Sequence, residues 1–361
     1  MVKIIAFSEA LQIDRSGANT NRSGEPLKPH LLLANGFSIA CRSDIFVYKR
    51  LFEQADFTNS LEAAKTFSSL GTTDFEKVIR SLQDAAKVAS VYRPKDGELV
   101  TKLLKDADLL KELLVQTIAS SHPERPTDIE DSEYQACYKF LNHFASIYTV
   151  NYDLLLYWAL MHGSDGSGGN FRDGFAKPED DYDATYVSWQ ENGNIWYLHG
   201  ALHLFDARTE IQKFTWSNTG IRLIEQTRTA LNKNYFPLFV AEGTSQEKLE
   251  RITHSAYLSK ALRSFEERMN VISSSLFVFG HSFSDNDEHI LKCIEKGRIS
   301  KLFIGIHGNS ATKSNREIIA RAERLKDRRD RDYPLEITFY DASTANVWGQ
   351  TETTSQAASN L

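Results

Sequence analysis

Cysteine is scarce in this chain of 361 residues: Cys41, Cys137 and Cys293 lie far apart, with no Cys-x-x-Cys pair and no histidine at ligand spacing. That excludes a zinc ribbon and a disulfide framework as the organising device. Long apolar runs are also missing, and Met1 to Ala10 carries neither an extended apolar core nor a cleavage-site pattern. No membrane contact is therefore expected, and the cytoplasm is the expected compartment. Charge of one sign is lacking too. A net charge of -6 and a pI near 6.0 give no global attraction to nucleic acid, and direct nucleic-acid binding is not expected. No Gly-Lys-Ser/Thr phosphate loop, His-Glu-x-x-His or Gly-x-Ser-x-Gly occurs, which removes the common triphosphatase, zincin and serine hydrolase classes. The group Asp285, Asp287, Glu288 and His289 invites a metal, but carboxylates at a helix start are commoner as solvated caps, and no metal is expected.

What is present is a globular composition, 41% hydrophobic and 25% charged, with enough apolar residues for a sizeable core. Short apolar runs repeatedly break at polar residues and re-enter as helices. Leu31 to Ala34 turns through Asn35-Gly36-Phe37-Ser38; Ser146 to Thr149 turns through Asn151-Tyr152-Asp153; Leu276 to Phe279 turns through Gly280-His281-Ser282-Phe283-Ser284. Phe236 to Val240 reads as a further short strand, and Leu302 to Ile306 and Leu335 to Tyr340 add two more around a charged helix near Glu317 to Arg329. Strands alternating with helices argue an α/β fold, a Rossmann-like parallel sheet with helices on both faces. Between the first two corners the period is helical throughout, clearest where Phe75, Val78, Ile79 and Leu82 fall at i, i+3, i+4 and i+7. An all-helical insert near 57–145 follows, within one domain over 30–345, after an exposed lead-in (1–29) and before a flexible tail (346–361). Aromatic and β-branched residues from Thr185 to Tyr197 predict a hairpin turned at Glu191-Asn192-Gly193-Asn194. The glycine-rich segment Gly163 to Gly174 is either a lid or a surface loop. Asp74 and Glu76 open a helix and serve as caps unless they turn inward.

Open α/β sheets hold ligands at such strand–helix corners, although capping alone would also account for Asn151 and Asp153, and sterics alone for Gly36. Taken in order, Ala34-Asn35-Gly36-Phe37-Ser38, Thr149-Val150-Asn151-Tyr152-Asp153, Leu198-His199-Gly200 and Phe279-Gly280-His281-Ser282-Phe283-Ser284 resemble the motifs of sirtuins. The likeness is to the zinc-free bacterial branch that hydrolyses NAD in anti-phage defence. It implies that Asn35, Gly36, Phe37 and Ser38 line the cofactor diphosphate, with Ala34 standing where the family has its first glycine. It implies that Asn151 sits by the nicotinamide ribose with Asp153 steadying its loop, and that His199 is the general base. Gly280, Ser282 and Ser284 would face the adenosine side.

The implied activity is cleavage of the nicotinamide–ribose bond of NAD, NAD being the substrate, by an enzyme held quiet until an oligomer or a regulatory partner protein switches it on. The residues fit that chemistry. An oxocarbenium-like state needs a positioned water more than a strong acid; Asn151 would hold it while neutral His199 takes the proton late. A non-catalytic sensor of NAD or an ADP-ribose derivative, acting through oligomerisation, is the alternative. Protein deacylation is disfavoured, since the absent cysteine pairs remove the module that helps form an acyl-lysine groove. Linear and cyclic ADP-ribose remain equally open as products.

Overall fold

The computed structural model describes residues 2–16, 20, 26–46, 48–58, 61–95, 97–123, 125–163, 171–176, 186–190, 193–207, 210–214, 223–232, 237–240, 244–272 and 274–349. Twelve named strands fall in two sheets: β1 (Ile4–Ala6), β2 (His30–Leu33), β3 (Ser146–Thr149), β4 (Phe175–Ala176), β5 (Tyr186–Trp189), β6 (Ile195–Tyr197), β7 (Gly200–Asp206), β8 (Ile211–Phe214), β9 (Pro237–Phe239), β10 (Ser275–Phe279), β11 (Lys301–Ile306) and β12 (Glu336–Asp341). The main sheet runs β1-β12-β11-β10-β2-β3-β6, parallel at every pairing. Its central strands β2, β3 and β10 are buried at every position, as strands of a parallel sheet covered by helices on both faces are. This is the α/β, Rossmann-like parallel sheet expected.

The crossover from β2 to β3 is the helical insert. Helices Leu61–Leu70, Phe75–Tyr92 and Gly97–Ser121 carry it, the last two packed as a long hairpin, and Asp131–Leu141 returns the chain to β3. The apolar stripe Phe75, Val78, Ile79 and Leu82 is buried as its period requires.

Four expectations change. The lead-in is not wholly exposed: Ile4–Ala6 is the edge strand paired with β12, and the helix Phe7–Ser16 buries Phe7, Ala10, Leu11 and Asp14. Nor is the tail flexible from its start, because Trp348 is fully buried, packs tilted against Phe37 with ring centres 5.0 Å apart and donates its indole N–H to the Phe37 carbonyl at 3.0 Å. The predicted hairpin does not form. Strand β6 pairs parallel with β3, whereas β5 pairs with β4 and β8 in a second, antiparallel sheet ordered β4-β5-β8-β7-β9. Strand β9, expected beside the other parallel strands, belongs to that second sheet as well. Residues 164–170 of the glycine-rich segment, 191–192 of the supposed turn and 350–361 lie outside the described residues.

Candidate functional site

From β2 the chain steps through β3 to β6, and from β10 it steps the other way through β11 to β12. The strand order therefore reverses between β2 and β10, which is where an open α/β sheet leaves a crevice at its carboxyl edge. Two glycines form the floor there. The Gly36 N–H donates to the Gly280 carbonyl at 3.1 Å, and a Cβ on Gly280 would stand 2.5 Å from the Gly36 Cα. With Gly280 at φ +73, no other residue fits this crossing without moving the backbone. Beyond it, Phe283 holds a left-handed φ of 56, its N–H on His281 Nδ1 and its carbonyl on Arg321.

Above this floor lies a cavity of about 460 Å³, within the roughly 300–1,000 Å³ common for small-ligand sites. One wall is apolar and comes partly from the insert: Ile39, Phe46, Leu51, Leu114 and Ile118. The polar part of the lining gathers Asn151, Asp153, His199, Lys248, His281 and Asp287 from four separate corners. Of the residues singled out from sequence, Asn35, Gly36, Asn151, Asp153, His199, Gly280, Ser282 and Ser284 all line it. Asp74 borders it too, while its carboxylate caps the helix Phe75–Tyr92 through the Lys77 N–H at 3.2 Å.

Phe37 and Ser38 do not line this cavity and act from behind it. The Ser38 hydroxyl accepts from Asn151 Nδ2 at 2.8 Å and donates to Asp153 Oδ2 at 2.5 Å. Asn151 Nδ2 also donates to the Ala34 carbonyl at 3.1 Å, so both amide hydrogens are spent and Oδ1 is the face it can offer. Burial raises Asp153 above the ordinary carboxylate range, the Ser38 hydroxyl and Leu155 N–H opposing only in part. A serine expected at a phosphate is thus the strut that aligns the asparagine.

His199 is not a lone histidine. Its Nε2 lies 3.0 Å from His289 Nε2, and His289 Nδ1 lies 3.0 Å from Ser245 Oγ, which also accepts the His289 backbone N–H at 2.6 Å. Burial, then the Lys248 ammonium, holds His199 well below the ordinary imidazole range against the pull of Asp287, so it is neutral. Burial likewise pushes His289 down to about 4. Beside them Lys248, 1% exposed, pairs with Asp287 Oδ1 at 3.2 Å, and His281 Nε2 stands 3.3 Å from Oδ2. Burial opposes ionisation of Asp287, but the Lys248 charge and the imidazoles overcome it and keep the carboxyl well below its usual range.

Lys248 and His281 were not named from sequence as ligands or bases, and His289 was named only in the acidic group set aside as a metal site. A signal existed for the first: Lys248 sits one turn before Ile252 on the apolar stripe of its helix, where a charge is costly unless it has a partner. Among the described residues no group of three or more His, Cys, Asp or Glu side chains has the geometry to hold a metal ion. No described helix is long and apolar enough to cross a membrane.

Residues 31–348 match a protein family described as a domain of unknown function, DUF4917. The chain belongs to the DUF4917 family. No curated protein matches it. The DUF4917 match begins in β2 and ends at Trp348, so it takes in every cavity-lining side chain and the indole that closes over Phe37.

Proposed function

We propose that this DUF4917 protein is an NAD hydrolase that releases nicotinamide and ADP-ribose. The observation that carries the reading is a buried, neutral His199 sharing one cavity wall with Asn151 at the point where the strand order reverses. Neutrality matters because a base must be unprotonated at working pH to receive a proton. The Gly36–Gly280 crossing lets a diphosphate approach two backbones, and Ser282 and Ser284 offer hydroxyls on the adenosine side. Asn151, with only Oδ1 to offer, would accept from a ribose hydroxyl or the attacking water. The apolar wall suits a flat, neutral leaving group. Nicotinamide departs with the glycosidic electrons, water adds to the oxocarbenium-like C1′, and its proton passes to His199.

Loss of the base is expected to slow nicotinamide release from NAD about a hundredfold in His199→Ala, and Asn151→Ala should cost at least as much. The assay is product formation by purified protein, alone and with extract from phage-infected cells, since activity is expected to await an oligomer or partner. Wild-type rates in Asn151→Ala would overturn the assignment. One observation speaks for the sensor instead: the Asn151 amide already has a structural task on Ala34 and Ser38. NAD binding in a calorimeter with no release under either condition would favour that reading.

A further inference from the structure

We propose that His289, held by Ser245, is the positioning residue that orients His199 and fixes its tautomer for proton transfer. The reaction it serves rests on the NAD-hydrolase reading; the wiring does not. Two imidazoles that meet Nε2 to Nε2 at 3.0 Å can bond only when one carries the proton and the other does not. Asp287 Oδ1, 3.9 Å from His199 Nε2, favours the proton there. His199 Nδ1 is then a bare lone pair left for the cavity. His289 Nε2 is bare in turn, so its Nδ1–H donates to Ser245 Oγ. Ser245 is itself pinned: it follows Thr244, whose hydroxyl accepts from the Glu247 N–H at 3.2 Å while Glu247 accepts the Thr244 N–H at 2.8 Å. The base, its orienting partner and a third anchoring group form the arrangement that activated bases use.

In the step, the O–H bond of the attacking water breaks and His199 Nδ1–H forms. The resulting imidazolium keeps Nε2–H on His289 and faces Asp287, and the proton leaves Nδ1 to solvent when product departs, which matches the one proton that NAD hydrolysis liberates. The groups facing this pair are Lys248 and Asp287 from the helix Ser245–His254 and the turn before Glu288, with His281 from the end of β10.

Two measurements test it. Long-range proton–nitrogen NMR on histidine-labelled wild type is expected to find His199 as the Nε2–H tautomer, a readout independent of turnover. His289→Phe, which keeps bulk but cannot accept, is expected to mix that tautomer and lower kcat for nicotinamide release ten- to a hundredfold with KM little changed, moving the acid limb of the pH profile. His289→Gln, whose carbonyl can accept from Nε2–H, should recover most of the rate. An Nδ1–H tautomer in wild type, or unchanged kcat and tautomer in His289→Phe, overturns the proposal. Wild type with the expected tautomer, its loss in His289→Phe, and no NAD turnover would keep the wiring and remove only the reaction.

Discussion

Lys248→Met is expected to destabilise the fold by about 3–5 kcal/mol, the usual cost of stripping one partner from a buried ion pair. Methionine fills the stem's volume, so the loss is electrostatic. Asp287 would lose its ammonium partner, leaving among the described residues His281 3.3 Å from Oδ2 and His199 3.9 Å from Oδ1 to answer it. Urea denaturation should show the lower midpoint. Removing the second charge as well, in Lys248→Met with Asp287→Asn, should return much of the stability, because no uncompensated charge remains. A single variant within 1 kcal/mol or so of wild type would mean that the pair is not buried as described. The single variant has a chemical effect too: Lys248 adds to burial in holding His199 down, so its loss moves that group back toward the ordinary imidazole range.

Acidification is expected to unfold the protein between pH 6.5 and about 4, well above the range where carboxylates usually govern. Four buried histidines, His30, His199, His203 and His289, are held below the ordinary imidazole range, His30 and His289 at about 4. Burial is the first cause in each, with Arg268 adding to it at His30 and Lys213 at His203. The unfolded chain binds protons at these sites from pH 6.5 downward while the folded chain does not, so stability falls as pH falls through that window. His30 and His289 each withdraw ~2 kcal/mol between pH 6.5 and 5, against a typical total of roughly 5–15 kcal/mol. Asp14 and Asp153 work in the opposite sense, since burial raises both and acid relieves them as pH falls through their raised values. Far-ultraviolet circular dichroism followed from pH 7 to 4 is the measurement, and a native signal retained at pH 4 would contradict the account.

The parts of this fold that could be read from sequence are those whose reason is local. Leu31 to Leu33 and Leu276 to Phe279 announce buried parallel strands because nothing polar interrupts them, and Asn35-Gly36 and Gly280-His281 announce corners because a strand cannot continue through them. Three of the corners met at one cavity as the α/β pattern demands. Non-local pairings stayed hidden. Strand β1 has three residues and its partner β12 lies at the far end of the chain; β5 and β6 flank turn-like residues yet diverge, because fully buried β6 is drawn to β3 while half-exposed β5 finds β8. The five-stranded antiparallel sheet was missed for the same reason. The polar wall was half legible: Asn151 and His199 stood out, whereas their supports, Ser38 and His289, declare their roles only through distances of 2.8 and 3.0 Å across the fold.

The placing of β1 and β10 bears on how the chain is made. On the ribosome, β2 emerges early, yet the neighbour it lacks on one side, β10, is translated only after the whole insert and the second sheet. The first strand waits longer still, since its partner β12 is the last of the described strands to emerge. A nascent chain stalled before β10 would therefore display β2 with a bare edge and an incomplete crevice, so the Gly36–Gly280 floor assembles only near the end of synthesis.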